Sequence, residues 1–573
     1  MLVLLLNFAH YLCKRVDILI LYKLLKMDMK FLFNFSKYEK IILLIIISIY
    51  FNNLFIDIMN VDAAQYASIS QEMLRNHSYL QVMDLQYDYL DKPPLLFWIS
   101  SLSMGVFGVC NFAYKFGAFL MLLLSLYSIF RFTSIYYSQQ IAKNAVLIFG
   151  TCQAFFLMTN DVRTDGILTS SVITGIWLLT EYLLNNKIKY LVFAAIFTAF
   201  AMMAKGPIGI IAVLMPVGLQ LLYKKDWKKV FSFSWFFYLL IVGLLLIPMS
   251  YGLYTQFDLH PEKITNGVPH QSGLYFYYWL QSFGRITGEN VWDNGLPWHF
   301  FIGTISWDFF PWILFLYFGL FFQIKKLVNK TLPEIITLSG FLLLFALLSM
   351  SRYKLPHYVF VTLPFASIIC ATYLDTLNSK QWKNWNKVYF VFAFIVLALL
   401  VIYQTLFFTD LNFILIVLVV VQLFLLFGMN KLALEDTSKM VGYVIVLNLF
   451  LSFVFYPKLL TFQADSMAGR WFYENKSNEM VYLVDEKSHA FNFYSKNPEN
   501  KSVALIDIGS IKNTCWLFTK EANLKQIASK VEVVEKKKFE NYPITRLKLP
   551  FLLQQKREQT LEYYYLVKIK PRT

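Results

Sequence analysis

The chain has 573 residues, 57% of them hydrophobic and only 15% charged, with a formal net charge of +16. A soluble globular protein of this size would carry about 25% charged residues, so the chain as a whole is not one. Apolar stretches of roughly 17–25 residues recur along the chain, as in a polytopic α-helical membrane protein. The cations sit mostly in short loops between those stretches, which fits membrane orientation and argues against a nucleic-acid surface.

The N-terminal run "MLVLLLNFAHYLCKR" lacks a basic leader and a small-residue cleavage site, so it does not read as a cleaved signal peptide. Residues 1–26 read as an upstream extension, with Met27 and Met29 as alternative starts. Thirteen spans are expected, near 41–60, 112–130, 144–159, 166–184, 190–204, 207–222, 231–251, 300–322, 334–350, 357–374, 388–408, 412–428 and 441–456. The segment 95–109 is short for a span and reads as re-entrant or interfacial. The five cysteines are scattered and form no CxxC pair, so neither a disulfide framework nor a zinc knuckle is expected.

One set of loops is rich in lysine: "NNKIK", "YKKDWKK", "QIKKLVNK" and "LDTLNSKQWKNWNK" among them. These should be cytoplasmic. The organisation expected is a cytoplasmic segment 1–40, a transmembrane domain 41–457 with large outer loops 61–94 and 252–299, and a soluble α/β domain 458–573 on the outer face. In that last part "EMVYLVDE", "SVALIDIGS", "CWLFTK" and "KVEVVEKK" read as strands, "EANLKQIAS" as a helix, and the basic tail from Gln554 as a solvated end.

The outer short loops hold few cations: Arg163, Lys205, Arg352 and Lys354, each at a helix end. Any one could be a snorkelling side chain or half of a local ion pair. Together with Lys92 and Arg285 from the large outer loops they suggest a basic pocket for a phosphate. Three of the lysines share one construction, a cation beside a proline at a span end: "DKPPL" (Lys92), "AKGPIG" (Lys205) and "YKLPHY" (Lys354, with His357). Proline fixes the local backbone and so the position of the charge. Carboxylates accompany them: Asp62, Asp91, Asp161 and Asp165. A site that only bound an anion would not need them, whereas a reaction removing a proton beside a phosphate would. The structural alternative is that Asp62 caps its helix and Asp165 pairs with Arg163.

Seven motifs in order, "DAAQYASISQEML", "DKPPL", "VRTDGIL", "AKGPIG", "FGRITG", "YKLPHY" and "YPKLL", resemble the lipid-linked sugar transferases of the GT-C fold. The similarity is to the branch with aminoarabinose transferase, which modifies lipid A, and bacterial relatives of protein O-mannosyltransferases. It covers roughly residues 40–460. The resemblance implies an inverting glycosyltransferase of the cytoplasmic membrane and cell envelope. The donor would be a polyprenyl-phosphate sugar and the acceptor a lipid, glycan or protein. It implies Asp62 and Asp165 as catalytic carboxylates, and Lys92, Arg285, Tyr358, Lys205, Lys354 and His357 around the donor phosphate. Asp91, Arg163 and Tyr66 complete the pocket. The chain departs from the family where relatives often have Asp-Glu, here Asp62-Ala63; where a glutamate precedes the lysine, here Asp91; and at "QSFGRITG", which lacks a histidine some relatives carry. No cofactor is expected, and a divalent metal is the less favoured alternative, with His270 and His299 as available ligands. The competing reading is a polytopic transporter or lipid flippase, whose polar site would lie near the midplane.

Overall fold

The computed structural model describes residues 35–571 apart from 266, 291, 409, 429–434, 478, 498 and 499. The expected N-terminal extension, with Met27 and Met29, lies outside the described residues.

Helix α1 (Lys37–Asn53) opens on a reciprocal cap. The Glu39 amide donates to Ser36 Oγ at 3.3 Å and the Ser36 amide to Glu39 Oε2 at 2.7 Å, an arrangement worth about 1 kcal/mol. The helix ends at Asn53 rather than at residue 60 as expected. The carbonyls freed there are taken by the buried Lys115 ammonium, which donates to Asn53 O at 3.1 Å and Ile56 O at 2.9 Å. Residues 54–61 are thereby left as a connector into α2 (Asp62–Asn76). A hairpin of β1 (Met83–Asp84) and β2 (Tyr87–Asp88) follows, then α3 (Leu95–Phe107) and α4 (Asn111–Tyr136). Next come α5 (Gln139–Phe149), α6 (Gln153–Asn160), α7 (Thr164–Asn185), α8 (Ile188–Lys205) and α9 (Ile208–Tyr223).

The α8–α9 turn is tight because two glycines permit it. Gly206 has φ +85°, and a Cβ on Gly209 would lie 2.4 Å from the Ala201 carbonyl carbon. The chain continues through α10 (Ser234–Leu253), a loop region with the antiparallel pair β3 (Ile264–Thr265) and β4 (Val268–Pro269) and the short α11 (Gly284–Thr287), then α12 (Phe300–Asp308), α13 (Ile313–Val328) and α14 (Ile336–Met350). A 3-10 turn, Pro356–Thr362, leads into α15 (Leu363–Leu374), α16 (Ser379–Phe407), α17 (Phe413–Gly428) and α18 (Asp436–Phe450).

Among the described residues seven helical stretches are long and apolar enough to cross a membrane, and nine if each of two bent pairs is one span. The bent pairs are α5–α6, at 57°, and α12–α13, at 118°. The second corrects the expected span 300–322: α12 folds back on α13 at Pro311, which has no amide to carry the helix through. The stretch 95–109 is the short apolar helix α3, ended by Gly108 at φ +80°.

The spans fall into two kinds. In α7 and in Pro356–Leu374, 83% and 89% of the most apolar window is buried in the protein. In Trp227–Asp258 and α16 only 17% and 22% is buried, leaving Phe231, Leu244, Val391 and Leu399 exposed. Apolar surface on that scale needs a lipid solvent. The protein is a multi-pass membrane protein built around a helical core.

After α18 the chain forms α19 (Ala464–Lys476), β5 (Val481–Val484), α20 (His489–Ser495), β6 (Lys501–Val503), β7 (Cys515–Lys520), α21 (Leu524–Lys530), β8 (Val531–Asn541) and β9 (Glu562–Pro571). The five strands make one mixed sheet in the order β6-β5-β7-β9-β8. Strand β5 runs parallel to β6 and β7, and β9 antiparallel to β7 and β8. The basic tail is therefore not a solvated end. Its "YLVKI" run is an inner strand whose Leu566, Val567 and Ile569 are fully buried, and pairing on both sides satisfies its backbone. The expected strand "SVALIDIGS" is shorter than read: β6 stops at Val503 and Leu505–Ser510 coils into a 3-10 turn. This unit grips the connector before α2. Tyr494 accepts the Ile58 amide at 2.8 Å, Gln463 accepts the Asn60 amide at 2.7 Å, and Arg470 pairs with Asp57.

Candidate active site

The sequence-predicted residues converge at one end of the helix bundle, drawn from the α2 start, the β2–α3 loop, the α6–α7 and α8–α9 turns, α11 and the turn before α15. They form two linked clusters.

The first surrounds Arg163. Its guanidinium pairs with Asp62, lies 2.8 Å from Asp161 and 3.4 Å from His357 Nδ1. Burial disfavours that cation, but Asp161 and Asp62 more than offset it and lift its pKa above the ordinary arginine value. Burial raises the pKa of the Asp161 carboxyl, which Arg163 only partly counters. The other edge of His357 faces Asp165, with Nε2 at 3.6 Å, and Asp165 pairs directly with Lys205. His357 thus bridges the environments of both expected catalytic carboxylates. Those carboxylates differ sharply. The Asp62 side chain is 36% exposed and Asp165 only 3%. Asp165 is enclosed by Lys205 and His357, whereas Asp62 keeps an open side. Tyr66 is buried beside this cluster; burial first, then Asp62 and Asp91, push its phenol up and keep it neutral.

The second cluster surrounds Arg285. Its Nη1 donates to Tyr358 Oη at 2.7 Å and its Nη2 lies 3.6 Å from Asp91. Trp292 and Tyr353 flank the guanidinium at 5.4 and 5.5 Å. Its Nε is buried and has no hydrogen-bond partner among the described residues. Lys92 contacts both oxygens of Asp91, at 2.9 and 2.8 Å. Burial is the largest influence and penalises that ammonium, yet the Asp91 charge and hydrogen bond together with Tyr358 outweigh the penalty and hold the lysine pKa above its usual value. Gln281 pins the Asp91 backbone carbonyl. Lys205 links the clusters, its ammonium 3.5 Å over the Tyr358 ring.

Two of the three proline-flanked lysines, Lys92 and Lys205, reach this centre. Lys354 does not: its ammonium donates to the Leu296 carbonyl at 3.0 Å while Asn294 grips its backbone. It ties down the loop before α12. His270 and His299 are exposed and outside both clusters, and among the described residues no three His, Cys, Asp or Glu side chains group as a metal site. Sequence reasoning missed Gln281, Trp292 and Tyr353, and the Gln463–Tyr494 clamp behind Asp62. Only the aromatic density of "YFYYW" and "NVWDN" beside "FGRITG" could have pointed to the ring pair.

A cleft with a volume of about 70 Å³ opens from the second cluster. Lys92, Lys205, Arg285 and Tyr358 lie in its lining, and Ile208, Ile211, Ile286, Leu347 and Leu348 form its apolar wall. A binding site with cations at one place and aliphatic side chains along the rest suits an amphiphile carrying a phosphate.

The fold has solved counterparts. ArnT from Cupriavidus metallidurans bound to undecaprenyl phosphate superposes with a TM-score of 0.68 over 92% of this chain and 97% of that one, at 14% identity. Its apo form gives 0.67 with the same coverage. The chain has the GT-C fold. The family model for dolichyl-phosphate-mannose-protein mannosyltransferase matches residues 91–251. Among curated relatives, undecaprenyl phosphate-alpha-4-amino-4-deoxy-L-arabinose arabinosyl transferase from Wigglesworthia glossinidia brevipalpis is 25% identical over 61% of this chain, and a second from Proteus mirabilis is 25% identical over 53%. The matched stretches span 60% and 52% of those two proteins. By fold and sequence this GT-C chain resembles the aminoarabinose transferases, as its seven motifs imply.

Proposed function

We propose that this GT-C chain is an inverting glycosyltransferase that moves a sugar from an undecaprenyl-phosphate-type donor to a lipid, glycan or protein acceptor. The observation that carries this reading is the Arg285 guanidinium. It is buried, stacked and oriented by Tyr358, and keeps an unpartnered Nε–H beside a cleft with an aliphatic wall. A buried donor left unpaired costs about 1–3 kcal/mol, a cost that a phosphate oxygen would remove. The names of the relatives support the donor class.

In this reading the prenyl chain lies along Ile208, Ile211, Leu347 and Leu348, and its phosphate meets Arg285, Lys92 and Lys205. Charge grows on the phosphate as the sugar leaves, and these fixed cations stabilise it in a low-dielectric setting. No step requires a metal. Asp62 serves as general base, since it alone of the two expected carboxylates has an open side from which an acceptor can approach. Attack from the face opposite the phosphate inverts the sugar carbon. Asp165 holds Lys205 and His357 in place.

The thirteen-span topology, with the cytoplasmic side at the lysine-rich loops and the catalytic end and C-terminal sheet outside, belongs to the same proposal, as does an inner-membrane location. Its support is spatial: the site residues lie together at one bundle end, and loops such as "YKKDWKK" join helices at the other. Outer-face chemistry would also explain a membrane-borne donor, because nucleotide sugars are cytoplasmic. Purified protein supplied with a polyprenyl-phosphate sugar and candidate acceptors should release polyprenyl phosphate and form a glycosylated product. Transport of the lipid with no product would establish the flippase alternative instead.

A further inference from the structure

A second cavity lies apart from the clusters above. It has a volume of about 370 Å³ between α2, the β1–β2 hairpin and the edge of the C-terminal sheet. Ser68, Gln71, Glu72 and Arg75 repeat at three- and four-residue spacing, so one flank of α2 forms a wall. Facing it are Asn492 from α20 and Asn500 and Ser502 from the start of β6. Besides the Tyr87 ring, Leu85 and Leu483 are the only apolar side chains in the lining among the described residues, which offer little surface to a prenyl or acyl chain.

The remaining chemistry narrows the occupant. Three cations, Arg75, Lys487 and Lys501, are set against the carboxylates Glu72 and Glu486. That near balance does not make a phosphate trap. The other polar groups are amides and hydroxyls, which both donate and accept, the pattern that matches vicinal hydroxyls. Gln71 is only 9% exposed and Ser68 4%, yet among the described residues neither side chain has a hydrogen-bond partner. Both line the cavity, so their polar groups keep free hydrogen-bonding capacity toward whatever fills it.

The walls are built and held. The hairpin tip places Leu85 at φ 52° and Gln86 at φ 69°, left-handed positions that glycine or asparagine usually fills. Four contacts sustain it: the Gln86 amide donates to Glu72 Oε1 at 3.0 Å, Asp84 takes Gln65 at 2.7 Å and His489 at 2.9 Å, and Lys487 covers the Tyr87 ring at 4.5 Å. A strained turn kept by its surroundings is commonly found at a binding site.

We propose that this pocket binds a saccharide, and that in the transferase reading, on which this part rests, the saccharide is the headgroup of the acceptor. At 1.5 Å rise per residue, Ser68 and Gln71 lie roughly 9 and 14 Å along α2 from Asp62. The pocket therefore holds sugar units remote from the reacting hydroxyl. Their binding energy positions that hydroxyl at Asp62. This selects a glycan-bearing acceptor over a protein or a simple lipid.

Full-length protein in detergent is titrated with chitobiose, cellobiose and maltose by saturation-transfer NMR, and in parallel with undecaprenyl phosphate. At least one disaccharide should bind. Gln71→Met should weaken it about tenfold by removing hydrogen bonds worth roughly 1.4 kcal/mol. Ser502→Trp, which fills the cavity from its exposed rim, should abolish it. Undecaprenyl phosphate affinity should stay unchanged in both variants. Binding of none of the three disaccharides, or binding indifferent to both variants, overturns the pocket. Loss of undecaprenyl phosphate binding by the unaltered protein, with disaccharide binding intact, would instead overturn the transferase reading and leave the saccharide site standing.

Discussion

Replacing Arg285 tests the donor site most directly. The side chain is 5% exposed, bonded to Tyr358 at 2.7 Å and flanked by two aromatic rings, so its position is set before any ligand arrives. Two charge-assisted hydrogen bonds to a phosphate, at about 1.5–3 kcal/mol each, amount to roughly 3–6 kcal/mol. At 1.4 kcal/mol per decade, Arg285→Ala should weaken undecaprenyl phosphate binding by about 10²–10⁴-fold. Folding should survive, because Asp91 retains Lys92 at 2.8 Å; the cost is one unpaired Tyr358 hydroxyl, on the order of 1–3 kcal/mol. Arg285→Lys should recover only part of the loss, since an ammonium cannot reproduce a planar fork stacked between Trp292 and Tyr353. The assay is equilibrium binding of the lipid in detergent, with thermal unfolding as the control for fold. An alanine variant that unfolds normally and binds within about threefold of the unaltered protein would refute the argument, because the whole estimate rests on direct contact.

Asp62→Asn keeps the shape and removes the base, so turnover should fall by about two orders of magnitude or more while donor affinity holds; near-normal turnover would move the base to Asp165. Lys115→Met should lower thermal stability by roughly 3–5 kcal/mol, because the carbonyls of Asn53 at the α1 end and Ile56 in the connector lose their cation in a fully buried place; unchanged unfolding would show that water replaces it. For topology, single cysteines at Lys228 and His299, both exposed, should label from opposite sides of a sealed vesicle, and labelling from one side would break the assumed orientation.

Much of the site was legible because its signals are local. A lysine beside a proline declares a fixed charge at a span end, and two of three such lysines reach the centre. Acidic residues in greasy surroundings declare a function or a partner, and Asp62, Asp91 and Asp165 all lie in the two clusters. Lys354 shows the limit of that reasoning. Its local pattern equals that of Lys92, but what captures its ammonium is the Leu296 carbonyl, 58 residues away. The tail beginning at Gln554 shows the same limit in the sheet: its charge density reads as solvent-exposed, and only pairing with β7 and β8 reveals an inner strand.

What the amino-acid sequence determined by itself was the class: apolar runs that need lipid and an ordered set of motifs. What tertiary structure decided was the pairing. Arg163 joins Asp62 across 101 residues, Arg285 meets Tyr358 across 73, and Lys205 faces Asp165 across 40. Hydropathy says that a segment is a helix in a membrane, but uniformly apolar helices leave rotation about the axis open. Rotation decides which two charges meet. It is set only when the helices pack, at contacts such as Gly209 on Ala201 that have no counterpart in the periodicity of the chain.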